Sequence, residues 1–304
     1  MKKGFLFAIL IIGGIILGKV VFAQTAIGIS PLIFELTGNQ GEVIENYLKI
    51  YNPSGDIIGI KMEVEDIAPS GEAGQVIVEL PETETYSLAK WIKTEPEEFN
   101  LKPGEEKLVK FTITIPENAE PGGHYGTVLG GIKAVTGAGG TGAVVVQRVG
   151  ALVLLTVPGA MKEELAVKDF STPRYLEYGP IPFTIRFENK GTVHVKPTGY
   201  VTVTNWLGQK VGDAGFSPLN VLPGGVRKFE TTLDKKWLLA GKYTATLSGS
   251  YGMSNIPFAP VVITFWAFPW KMGLGILIVL ILFILSRKRW IAAFRVLIRG
   301  EGRS

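Results

Sequence analysis

Between residues 24 and 265 apolar side chains recur at every second position, a period that specifies strands and does not fit helices. KLVKFTITI at 107–115 sets Val109, Phe111, Ile113 and Ile115 against Lys110, Thr112 and Thr114. IGIKMEVEDI at 58–67 sets Ile58, Ile60, Met62 and Val64 against Lys61, Glu63 and Glu65, and PFTIRFEN at 182–189 sets Phe183, Ile185 and Phe187 against Thr184, Arg186 and Glu188. Each segment predicts an antiparallel strand with one face in a core and the other in water. Turn residues separate them: NPSGD at 52–56, KPGEE at 102–106, NKG at 189–191, WLGQK at 206–210 and LPGG at 222–225. Many short strands between such turns predict an all-β chain of two tandem immunoglobulin-like β-sandwich domains. SLAKWIKTE at 87–95 is the one stretch that suits a short helical or irregular insertion.

The two halves repeat a plan. KIYNPSG ends a strand at Asn52 as RFENKG ends one at Asn189, and FNLKPGEEKLVKFTI at 99–113 matches NVLPGGVRKFETTL at 220–233. GGHYGTVLGG at 122–131 then corresponds to AGKYTATLSG at 240–249, which sets His124 where Lys242 stands and Tyr125 on Tyr243. A histidine matched by a lysine predicts a turn or surface role for His124. A glycine, a polar residue and a tyrosine entering a strand predict a tyrosine corner. The first domain is expected over 24–158, with the boundary near Pro158 and Gly159, and the second over 159–265.

The ends read as membrane segments. Two lysines, the run GFLFAILIIGGIILG and Val21, Phe22, Ala23 predict a signal peptide over 1–23. The run MGLGILIVLILFIL at 272–285, with FWAFPW before it and RKRW after it, predicts one C-terminal transmembrane helix over 266–286 and a basic cytoplasmic tail over 287–304. The expected place is the cell membrane, single-pass, with the ectodomain outside. Charge agrees with that division. Ten of the 31 basic residues lie at the two termini, which leaves 21 against 26 acidic ones between residues 24 and 270. The +4 formal charge therefore belongs to the membrane ends, and a middle without a basic stripe speaks against nucleic acid as a partner.

Few residues suggest chemistry. The chain has no cysteine, so neither a thiolate nucleophile nor a cysteine metal site can form. Its two histidines, His124 and His194, have no zinc-like spacing. TGAGGTGA at 136–143 lacks the lysine and hydroxyl of a phosphate loop and joins two strands. Glu95, Glu97 and Glu98 form a local cluster where a glycosidase needs two carboxylates set across a cleft, and no G-x-S-x-G elbow occurs. A non-enzyme without cofactor or metal is expected. The better leads are aromatic: Trp91, Trp206 and Trp237 fall in or beside loops, where sugars or protein surfaces stack, and with His124 and Tyr125 they form the set of candidate ligand-binding residues.

Taken with the opening IGISPLIFEL at 27–36 and the LKIYNPSGD turn, the block FNLKPGEEKLVKFTITIPENAEPGGHYGTVLGGI at 99–132 resembles the WxL-interacting protein family of bacterial surface proteins. The likeness covers the first domain well and the rest loosely. It implies a membrane-anchored envelope scaffold whose first module contacts cell-wall peptidoglycan and whose second contacts surface proteins, both on immunoglobulin-like folds. ISPLIFEL followed by a strand ending in Asn-Pro also resembles PapD-type chaperone domains, which bind an extended client strand at a sheet edge.

Overall fold

The computed structural model describes residues 27–78, 86–133, 147–238 and 240–300, with side chains to Arg287. The expected signal peptide and the glycine-rich 136–143 segment lie outside the described residues. The chain divides into two units. The first takes the chain to Ile67, Glu79–Glu120 and His124–Val157; the second takes Ala68–Val78, Pro121–Gly123 and the chain from Pro158.

The first sandwich is built from β1 (Gly28–Ser30), β2 (Ile33–Thr37), β3 (Val43–Tyr51), β4 (Ile58–Ser70), β5 (Gln75–Val78), β6 (Ile92–Glu95), β7 (Glu98–Leu101), β8 (Glu106–Thr114), β9 (Gly122–Ile132) and β10 (Arg148–Val157). One sheet has the order β1-β3-β8-β6; the other has β2-β10-β9-β4-β5, with β7 on β4. Proline cannot continue a ladder, and at Pro31 the chain leaves β3, where Ser30 pairs with Lys49, and joins the opposite sheet with β2 parallel to β10. The period-two residues face inward as expected: Val109, Phe111 and Ile113 are fully buried, with Phe34 edge-on to Phe111 at 4.9 Å. SLAKWIKTE divides, its first half forming a single 3-10 turn at Ala89–Trp91 and its second half β6, because Ile92 and Thr94 alternate into the core beside β8.

The second unit repeats the plan with β11 (Leu165–Ser171), β12 (Tyr175–Leu176), β13 (Ile181–Asn189), β14 (Thr198–Asn205), β15 (Lys210–Gly215), β16 (Val226–Leu233), β17 (Gly241–Tyr251), β18 (Ile256–Pro257) and β19 (Val261–Ala267). A β11-β13-β16 sheet faces a β12-β19-β17-β14-β15 sheet, with β18 on β17. Its core is aromatic: Phe187 lies 5.2–5.8 Å from Phe216, Phe229 and Phe258.

The repeat read from the sequence is physical. Asn52 N–H donates to Glu105 O while Gly104 N–H donates to Asn52 O; Asn189 N–H donates to Gly225 O while Gly224 N–H donates to Asn189 O. Gly104 and Gly224 hold the same left-handed turn, at φ +72° and +71°.

After β19 the chain enters α1 (Trp270–Gly300). Trp270–Arg287 is apolar and long enough to cross a membrane, the one such helix among the described residues. Trp266 and Ala267, read from the sequence as the start of the span, close β19 instead, and the helix runs on past the Arg287 cluster.

Candidate functional site

The site begins with an acid at an inward position. Residues 58, 60, 62 and 64 of β4 turn toward the core, and Asp66 continues that phase at the end of the sandwich, paired with Gly126 of β9. Its Oδ1 accepts from the backbone N–H of Leu88 at 2.7 Å and of Ala89 at 2.8 Å, and its Oδ2 accepts from Ser87 Oγ at 2.8 Å. The turn's own N-cap, Leu88, supplies no side-chain cap. Asp66 thereby satisfies donors that a turn start leaves open, and it fixes the segment that carries Trp91. Leu88 is fully buried over Gly126, where a Cβ would stand 3.4 Å from its own.

Trp91 then meets His124. The ring centroids are 4.3 Å apart with planes tilted by 43°. The imidazole is 2% exposed, with Nδ1 3.2 Å from Ser87 O and Nε2 2.9 Å from Glu120 O. Both partners are acceptors, so whichever nitrogen carries the proton donates to its carbonyl; the neutral ring serves one of them and the imidazolium both. Above this pair opens a pocket of about 270 Å³. Ser87, Lys90 and Trp91 line one side of it, and Pro116, Asn118, Ala119, Glu120 and His124 line the rest. An indole, an ammonium, an amide, a carboxylate and a hydroxyl around one opening suit a polar ligand with a face that can stack.

The turn or surface role expected for His124 is corrected by this burial. Strand parity explains the error. On β9 the even positions face the core: Val128 is fully buried, and a Cβ on Gly130 would meet Ile50, Ile27 and Ile60. His124 shares that face, whereas Tyr125 lies on the opposite one, 6.3 Å from Tyr86. On β17 it is Tyr243 that faces inward, stacked on Phe265 at 5.4 Å, while Lys242 is exposed. The positive-φ glycines that open the two strands, Gly122 and Gly241, confirm the register. His124 thus occupies the place of Tyr243, not of Lys242, and matching by residue type was off by one.

Trp206 and Trp237 belong to the second unit, are 62% and 74% exposed, and do not line the pocket. His124, Trp91 and Ser87 come together from segments more than 30 residues apart. Asp66, which sequence reading passed over, left one signal, an acid in phase with four apolar residues of β4.

No family model matches the chain, and no curated protein matches it. The chain is similar in structure to several chaperones. The class 5 fimbriae chaperone CfaA shares 14% identity over 79% of this chain and 98% of its own, at a TM-score of 0.39. The Pseudomonas aeruginosa CupB2 chaperone shares 10% over 77% and 97%, at 0.34, and the E. coli chaperone DraB 12% over 79% and 96%, at 0.35. Likenesses of that degree assign this chain neither a client nor a role.

Outside the pocket, the outer face of β4 carries a charge cluster. Lys61 Nζ donates to Glu63 at 3.0 Å, and Arg148 Nη2 donates to Glu63 at 2.7 Å and to Glu65. The hydrogen bond from Lys61 and the nearby Arg148 guanidinium hold the Glu63 carboxyl below its ordinary value.

Proposed function

We propose that the chain is a single-pass membrane-anchored binding protein of the cell surface, acting without catalysis, whose first sandwich holds cell-wall peptidoglycan in the Trp91 pocket. The observation that carries this reading is the Trp91–His124 stack under an opening edged by Lys90, Asn118 and Glu120. A pyranose face suits the indole, and the amides and charged ends of a peptide stem suit the polar rim. Five of the eight lining residues, Pro116, Asn118, Ala119, Glu120 and His124, fall within the block that resembles the WxL-interacting family.

The test is co-sedimentation of the detergent-solubilised full chain with isolated peptidoglycan. Saturable binding that Trp91→Ala weakens by about tenfold, the loss of one stacking contact of roughly 1.4 kcal/mol, is the expected result. Binding indifferent to Trp91→Ala, or no binding, overturns the reading.

A second reading has its own observation. Among the described residues β1 covers β3 only at Lys49–Tyr51, so over Val43–Leu48 that strand has β8 as its one described neighbour. Glu42 O and Asn52 N–H point toward the β8 side, which by alternation turns the main chain of Val43, Glu45 and Tyr47 to the open edge. Such an edge can take an extended client strand from a surface protein. Tyr47 N–H is met there by Asn46 Oδ1 at 3.3 Å, a local cover that a client would displace. Glu45→Pro removes an outward donor and leaves the β8 ladder intact; loss of client capture with peptidoglycan binding unchanged would favour the edge, and the reverse would discard it.

A further inference from the structure

The second unit concentrates its exposed aromatics at one end, the end from which α1 departs. Gly241 at the start of β17 pairs with Ala267 at the end of β19, three residues before the helix. Asn205 pairs with Tyr243, so the β14–β15 turn opens at this same end, as does the 234–238 loop that precedes Gly241. Trp206 stands on that turn and Trp237 on that loop, and they are the two most exposed tryptophans described. Trp266, Phe268 and Trp270 follow on the chain itself, at 48%, 62% and 52% exposure.

This end is built rather than loose. Gly241, at φ +150°, carries no Cβ, and one placed there would fall 2.6 Å from Trp206 Cδ1, so the indole lies across the glycine while its outer face stays open. The loop bearing Trp237 is tied by Gly179 N–H donating to Lys236 O at 3.1 Å. Phe268 N–H donates to Leu176 O, and Lys271 Nζ reaches Glu177 at 2.9 Å while lying over the Tyr178 and Trp270 rings. Arg174, Lys235, Lys236, Lys242 and Lys271 outnumber Asp234 and Glu177 among the described residues of this end.

Indoles held open to water are costly there, whereas at the boundary of a bilayer an aromatic ring with one polar edge is at its favoured depth, and cations meet anionic headgroups. We propose that this end of the second sandwich is seated in the interfacial layer of the bilayer that α1 crosses, with Trp206 and Trp237 at headgroup depth beside Trp266 and Trp270. The occupant is the lipid surface. The inference rests on α1 spanning the membrane, and it takes Trp206 and Trp237 out of the ligand-binding set.

The absence of cysteine makes single labels unique. The full chain is reconstituted into vesicles of phosphatidylcholine and phosphatidylglycerol with a nitroxide at Leu207→Cys, Lys236→Cys, Met253→Cys or Ile278→Cys. Met253 lies at the far end of the 11-residue β17, roughly 35 Å away, and Ile278 lies within α1. The readout is the collision rate with oxygen relative to a water-soluble nickel chelate. The expected ratio at Leu207 and Lys236 exceeds that at Met253 by about threefold or more and stays below that at Ile278, the mid-span position. Ratios at Leu207 and Lys236 equal to that at Met253, with Ile278 shielded from nickel, would overturn the seat and leave the span standing. Nickel access at Ile278 equal to that at Met253 would remove both. Trp206→Ser with Trp237→Ser, read from the Lys236 label, is expected to lower the ratio toward that of Met253; an unchanged ratio would overturn the role of the two tryptophans.

Discussion

Asn52 donates from Nδ2 to the carbonyl of Leu101, 3.1 Å away and 49 residues further along the chain. The same amide reaches Asp56 O and Lys102 O, and its Oδ1 accepts from Ser54. Asn189 does the equivalent work in the second sandwich, donating to Val193 O and Val221 O and accepting from Gly191 N–H. Both residues are 1% exposed. Asn52→Ala is expected to lower the stability of the first unit by about 2–3 kcal/mol, because buried carbonyls lose their donors, and Asn189→Ala should do the same to the second. Chemical denaturation followed separately for each unit checks this. A loss shared equally between the units in either variant would contradict it.

His124 is a load on the first unit's core. His124→Lys is expected to cost about 2 kcal/mol or more, since an ammonium must be buried against Trp91, and His124→Phe should cost less while keeping a ring under the indole. The order of melting temperatures, wild type above Phe above Lys, is the measurement. A lysine variant as stable as wild type would restore the surface reading.

Asp66 holds the turn that carries Trp91, so on the proposed peptidoglycan reading it is a positioning residue. Asp66→Ala is expected to weaken peptidoglycan binding as Trp91→Ala does and to destabilise the first unit by about 1–3 kcal/mol. Asp66→Asn keeps an acceptor on Oδ1 and should recover most of the binding. If both variants bind alike, the capped turn does not position the indole.

Glu63 gives a pH test. Its carboxyl is held below the ordinary value of 4.5 by Lys61 and Arg148, so its contribution is fully present above 4.5 and disappears as pH falls through the lowered value. The melting temperature of the first unit should therefore fall more steeply below pH 4.5 in wild type than in Glu63→Gln. Parallel curves would show that the cluster adds nothing, as exposed pairs often do.

Much of this fold was legible because alternation is a local signal. Val109, Phe111 and Ile113 announced their face from the pattern of their own strand, and the asparagine and proline-glycine pairs announced the duplication. The pocket was harder to read. Trp91 and His124 sit 33 positions apart on segments that meet only through sheet closure, and no periodicity links them. The alignment that set His124 on Lys242 matched letters across a turn, where one residue of slip reverses the facing of every side chain that follows. Asp66 was visible only as an oddity, a charge where the pattern asked for an apolar residue.

The change of sheet at Pro31 bears on mechanics. Because β2 runs parallel to β10, with Ile33–Thr37 beside Leu152–Thr156, a pull that draws the start of β2 away from the end of β10 slides the two strands past each other. The bonds of all five residue pairs are then loaded together, in shear, instead of parting one at a time. Tension that enters the first sandwich at the start of β2 and leaves at the end of β10 is therefore borne by the β2–β10 clasp as a unit.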